Sequence, residues 1–131
     1  MSCVVDASVV VAALVDSGAV GAWAEGLIAA GGLFAPHVMP FEVANVLRRV
    51  ELAGDVSAET AALAHDDLRQ LTVRLVDYQP LVDRVWEVRS RASAYDASYV
   101  ALAELLDVPL ATLDVKLSRT PNVGCAFVIP G

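Results

Sequence analysis

Cysteine is scarce in this sequence: there are two, Cys3 and Cys125, near opposite ends of the chain. Two are too few for a disulfide scaffold. Both are read as buried free thiols in a reducing compartment rather than as a pair. Histidine is equally scarce. His37 and His65 have no cysteine or second histidine at the spacing of zinc ligands, so neither is assigned to catalysis. A glycine-rich phosphate loop is missing, and Ser8 lacks the histidine partner of a nucleophilic serine. No segment reaches the roughly 20 apolar residues that cross a bilayer. The first apolar run has no basic stretch before it and is interrupted by Asp6, unlike a secretory signal. There is no repeat, low-complexity tract or linker. These absences predict a soluble, cytoplasmic protein with no membrane contact.

Positive charge is also short. Nine Lys and Arg stand against 16 Asp and Glu, a net charge of −7. That argues against a protein that coats nucleic acid, which would be basic. It leaves a nuclease open, because carboxylates that hold cations are counted here without them. Apolar residues are abundant, at 56% with a mean hydropathy of +0.57. A chain of 131 residues is expected to form one domain, residues 1–131. Its apolar surplus predicts a surface partly covered by a partner, as a homodimer or by a second chain.

The chain is organised around Ser2-Cys3-Val4-Val5-Asp6-Ala7-Ser8. Apolar residues run into an aspartate, and the apolar run Val9 to Val15 follows. This reads as a buried strand ending at a carboxylate, with a helix from Ala7 to Val15. A second helix spans Ala19 to Ala30 and stops at Gly31-Gly32. Leu33-Phe34-Ala35 is a strand closed by Pro36. Pro40 opens a helix carrying Val43, Val46, Leu47 and Val50, and Gly54 ends it. Ser57 caps the next helix, and Val73 to Val76 is a strand. Pro80 starts a helix with Val85 and Trp86 on its apolar face. Trp23 and Trp86 are both read as core or interface residues. Ser93 starts another helix, Val108 to Thr112 is a strand, and Asp114 opens a helical turn through Leu117. Ala126 to Ile129 is the last strand. Short strands, apolar on both faces and alternating with helices, predict an α/β fold. The expected form is a three-layer α/β/α sandwich with about five mainly parallel strands.

Four acids recur where helices begin: Asp6, Glu42, Asp96 and Asp114. The strand ends of a parallel sheet lie on one side, so these acids can converge. Each has a plain alternative, since first-turn acids cap helices and suit the macrodipole. Ser93 with Asp96 is also a capping-box pattern. Glu42 is the sharpest single case, because it interrupts the apolar run Val38-Met39-Pro40-Phe41-Glu42-Val43-Ala44.

Four segments together resemble the PIN-domain ribonucleases, and among them the VapC-type toxins of toxin–antitoxin pairs. They are Val4-Val5-Asp6-Ala7-Ser8, Pro40-Phe41-Glu42-Val43-Ala44-Asn45-Val46-Leu47, Tyr95-Asp96-Ala97-Ser98-Tyr99-Val100-Ala101-Leu102-Ala103 and Leu110-Ala111-Thr112-Leu113-Asp114-Val115-Lys116-Leu117. The resemblance implies an Mg²⁺- or Mn²⁺-dependent endoribonuclease, PIN-like in fold, in which Asp6, Glu42, Asp96 and Asp114 form the metal site. It implies Ser8 and Thr112 as auxiliary polar groups near the metal. A metal-activated water would cut the phosphodiester, leaving 5′-phosphate and 3′-hydroxyl ends, and a cognate antitoxin would neutralise the enzyme.

Electrostatics agrees. A like-charged pair at about 4 Å costs on the order of 4 kcal/mol at an effective dielectric of about 20. A domain stable by roughly 5–15 kcal/mol cannot carry several such pairs uncompensated. Protons or hard cations must neutralise them, and oxygen ligands suit Mg²⁺ or Mn²⁺. Lys116, Arg119 and Arg91 are candidates for holding RNA phosphates, with Arg48 and Arg89 behind them. Two other readings stand beside the nuclease. One is a metal-dependent phosphatase with Asp6 as nucleophile, and the other is a non-catalytic binding module with this fold.

Overall fold

The first apolar run becomes the middle strand of the sheet. In the computed structural model, which describes residues 2–131, β1 (Cys3–Val5) is flanked by β2 (Leu33–Pro36) and β4 (Leu110–Ala111). β3 (Val73–Val76) and β5 (Phe127–Val128) form the edges. The order is β3-β2-β1-β4-β5, and every pair is parallel. A central parallel strand is covered on both faces, which is why β1 carries only apolar residues, all buried.

Helices cover the sheet. α1 (Ala7–Val15) packs against α2 (Ala19–Ala29), α3 (Met39–Leu52) and α4 (Ala58–Gln70). α6 (Ala94–Leu106) lies across β1, β2 and β4 and against α5 (Val82–Glu87). Every residue of α6 from Ala97 to Ala103 is buried, the pattern of a helix enclosed on all sides. A last short helix, α7 (Val115–Ser118), follows β4. This is the expected three-layer sandwich. Cys3 and Cys125 are free thiols, the first buried and the second half-buried just before β5. Among the described residues no single helix is long and apolar enough to cross a membrane.

The structure corrects several local expectations. β3 is not apolar on both faces: it is an edge strand with Arg74 and Leu75 exposed, and the Arg74 guanidinium lies 5.9 Å from the Phe34 ring centre. The segment after Pro80 begins as a 3-10 turn, Gln79–Leu81, before α5. Trp86 is 65% exposed, so of the two readings, core or interface, the core is excluded. The Arg89 guanidinium stacks 4.5 Å from its ring centre. The fourth strand shortens to Leu110–Ala111.

Where α1 meets α2 the backbones nearly touch. Gly21 is buried in α2, and a Cβ placed on it would lie 1.8 Å from the Asp16 carbonyl oxygen. Only glycine fits that crossing.

A polar clamp ties α5, α6 and the segment before β5 together. Arg84 Nε donates to Glu104 Oε1 at 2.7 Å and Nη2 donates to Oε2 at 3.1 Å. Nη2 also reaches the Asn122 carbonyl at 3.1 Å, and the Gly124 amide donates to Glu104. The paired arginine holds the Glu104 carboxyl below the usual carboxylate range. A carboxyl lowered on folding stabilises the fold above its unfolded pKa, and that gain is lost as pH falls through the folded value. Glu104→Gln is therefore expected to cost about 1–2 kcal/mol at neutral pH. The gap to wild type should begin to narrow below about pH 4, the unfolded carboxyl range, as read by urea unfolding at pH 7 and at successively lower pH.

Candidate active site

The strand order reverses between β1 and β4. The chain moves from β1 outward through β2 and β3 on one side, while β4 and β5 lie on the other. The crevice outside the carboxyl ends at such a reversal is where open parallel sheets bind ligands. Asp6 leaves β1 into this crevice, and Thr112 leaves β4 into it.

These two residues meet directly. Asp6 caps α1 with Oδ1, which accepts the Ser8 amide at 2.8 Å. Its Oδ2 accepts the Thr112 hydroxyl at 2.5 Å. Thr112 is fully buried, and its Oγ1 also accepts the Asp114 amide at 3.0 Å. The Ser8 hydroxyl accepts the Leu113 amide at 3.1 Å. Ser8 and Thr112 thus stitch the β1–α1 turn to the β4–α7 turn across 105 and 106 residues of chain. Asp6 itself is only 8% exposed.

The other acids arrive on helix starts. Glu42 lies in the first turn of α3, whose early Pro40 needs no helical hydrogen bond there. Its Oε1 accepts the Tyr99 hydroxyl at 2.5 Å. Asp96 lies in the first turn of α6, its amide donating to the capping Ser93 hydroxyl at 3.1 Å. Asp114 caps α7, with Oδ1 accepting the Leu117 amide at 3.2 Å. Helix capping therefore operates at Asp6 and Asp114, as the plain alternative allows, and each cap uses only one carboxylate oxygen.

The four carboxylates act on one another. Burial pushes the Glu42 carboxyl up; the Tyr99 hydroxyl draws it back, and Asp6 and Asp96 add repulsion. Burial also pushes Asp96 up, reinforced by Asp114 and Asp6 and opposed by Lys116. Tyr99 is held protonated by burial and by its bond to Glu42. The acids do not close on a point as they stand: among the described residues no three His, Cys, Asp or Glu side chains form a group that could hold an ion. A shared negative field with side chains held apart is the arrangement that mutual repulsion favours.

Lys116, Arg119 and Arg91 line one cavity of about 600 Å³ with Asp96 on its wall. The other arginines lie elsewhere. Arg48 borders a separate groove between α3 and α4, and Arg89 is engaged by Trp86. Tyr99 carries no signal of its own in the sequence. Its spacing of three from Asp96 in one helix, which puts both on one face, was the available clue.

Comparison with known proteins gives the geometry a family. Residues 3–123 match the family model of the PIN domain. The chain is 41% identical to VapC ribonuclease Mb0985 of Mycobacterium bovis, over 96% of each chain. Its fold is similar to that of PAE2754 from Pyrobaculum aerophilum, with a TM-score of 0.74 and 23% identity over 97% of this chain and 90% of that one. It is also similar to VapBC2 from Rickettsia felis, solved bound to a DNA fragment from their promoter, with a TM-score of 0.71 and 13% identity over the whole of both chains. With the acids set at the strand-order reversal and the match running almost end to end, the chain belongs to the PIN-domain family, alongside the VapC ribonucleases.

Proposed function

We propose that this protein is a metal-dependent endoribonuclease toxin that hydrolyses RNA phosphodiester bonds and is held inactive by a cognate antitoxin. One observation carries the reading: at the sheet's order reversal Thr112 ties Asp6 to the Asp114 turn, and Tyr99 ties Glu42 to the helix that carries Asp96. The VapC relatives supply the ribonuclease activity by similarity, and the VapBC2 pair supplies the antitoxin.

The donor set fits a hard divalent cation, Mg²⁺ or Mn²⁺, because every candidate ligand atom is a carboxylate oxygen. When bound, such an ion supplies neutralising charge and Lewis acidity for phosphodiester hydrolysis. Asp6 is the fixed member, oriented by the Ser8 amide and the Thr112 hydroxyl. Glu42 is oriented by Tyr99. Asp96 and Asp114 come from the starts of α6 and α7, and Asp96 is committed to no protein donor among the described residues. Thr112 and Ser8 serve as positioning groups: they hold the two strand ends in register. Half-burial keeps bulk water from screening the acids.

Asp6 is poorly suited to the nucleophile of a phosphatase. Both of its oxygens already accept hydrogen bonds, and it is almost wholly buried. A binding module that never takes a cation would leave the repulsion at Glu42 and Asp96 without function.

Mg²⁺ or Mn²⁺ at about 100 times its Kd is expected to stabilise the protein by roughly 2.7 kcal/mol. A thermal scan with and without EDTA reads this, beside cleavage of total RNA with mapping of the new 5′ ends. Undiminished cleavage in EDTA would refute the metal-dependent reading. We place the protein in the cytoplasm, where its RNA substrate and antitoxin are made. We also infer a homodimer, consistent with exposed apolar residues such as Phe41, Leu52 and Leu63.

A further inference from the structure

We propose that the cavity between the α5–α6 turn and the α7 segment seats an RNA phosphate next to the scissile one, with Arg91 as its anchoring donor. This rests on the nuclease reading and names where the substrate strand lies.

Three observations point there. First, the wall is cationic on two sides: Arg91 comes from the turn before α6, and Lys116 and Arg119 come from α7 and its end. These three are a third of the chain's nine Lys and Arg, gathered in a molecule of net charge −7. Second, the cavity shares Asp96 with the acidic cluster. A strand whose cleaved phosphate sits at the acids must pass its neighbouring phosphate close by. Third, Arg91 makes no side-chain hydrogen bond among the described residues: its Nε is enclosed, and its Nη atoms are left open on the cavity wall. A guanidinium end of this kind is suited to grip phosphate through two parallel bonds.

The clamp described above braces the chain that leaves this cavity after Pro121. Glu104 feels Arg91 as well as Arg84, and its bond from Gly124 ties down the chain that continues from Arg119, Thr120 and Pro121. The three cations are therefore presented from braced backbone.

Binding is measured for a short fluorescein-labelled oligoribonucleotide with Mg²⁺, in a Glu42→Gln background that removes cleavage. Arg91→Gln is expected to weaken binding several-fold and to lower the log–log salt slope by about 0.7, the value for one lost phosphate contact on a single strand. Arg119→Gln should do the same, Arg91→Lys should recover part of the slope, and the distant Arg48→Gln should leave it unchanged. If Arg91→Gln and Arg119→Gln both behave like Arg48→Gln, or the background binds no RNA, the cavity proposal is overturned. Wild-type cleavage is scored separately. Cleavage with an unchanged slope rejects the cavity and keeps the nuclease, whereas a reduced slope without wild-type cleavage keeps the cavity and rejects the nuclease.

Discussion

Asp96→Asn is expected to lower RNA cleavage by about a hundredfold or more while raising the melting temperature of the metal-free protein. Losing groups that merely orient metal ligands costs 10- to 100-fold in many enzymes, so removing a ligand charge should cost at least that. The stability change has the opposite sign. Burial and the neighbouring Asp114 and Asp6 hold the Asp96 carboxyl above its ordinary range. A carboxyl raised on folding stabilises the fold only at low pH, and its penalty is complete once pH exceeds the folded value. Asparagine removes that penalty at neutral pH. It also forfeits a first-turn helix charge worth about 0.3–1 kcal/mol at exposed sites. Burial and two like charges outweigh that term, so the net change is a gain. With saturating Mg²⁺ the order should invert if Asp96 is one of the ligands proposed above, because the ion then stabilises wild type more than the variant. Scans at pH 7 with EDTA and with Mg²⁺ check both halves. Wild-type-like cleavage by Asp96→Asn would remove this residue from the site.

Gly21→Ala is expected to be the most damaging of the small substitutions. In an open helix the change gains about 1 kcal/mol. Here the added carbon would stand 1.8 Å from a backbone oxygen of Asp16. No flexible side-chain end is available to yield, so the α1–α2 crossing must open. Overpacking typically costs about 1–3 kcal/mol; a clash with rigid backbone belongs at the upper end, and a loss of about 3 kcal/mol lowers the melting temperature by about 10 °C. Gly26→Ala in the same helix meets nothing within 4 Å and should be neutral or stabilising. A melting temperature for Gly21→Ala equal to that of Gly26→Ala would show the crossing to be more pliable than its geometry.

Much of this was legible from local pattern. The run after Asp6 forms a helix over Ala7–Val15, because a capping aspartate and a following apolar run are both short-range signals. Ser57 and Ser93 cap the helices they precede. The acids lie at helix starts because sequence spacing alone sets that. What stayed hidden is pairwise and distant. Tyr99 meets Glu42 across 57 residues, and Arg84 meets Glu104 across 20. No periodicity reports such a contact. Trp86 could not be divided between core and interface for a related reason: its helix face is apolar, yet α5 is short and the ring lies exposed beside an arginine. Likewise Leu75 looks like a core residue until its strand proves to be an edge.

The meeting of β1 and β4 brings together residues 106 positions apart, Asp6 and Thr112. Closing so long a loop costs chain entropy that no local contact repays. Until it closes, Asp6 has no hydroxyl to orient it and the crevice has only one bank. The order of the crevice is thus a product of the last long-range pairing rather than of any single helix or strand.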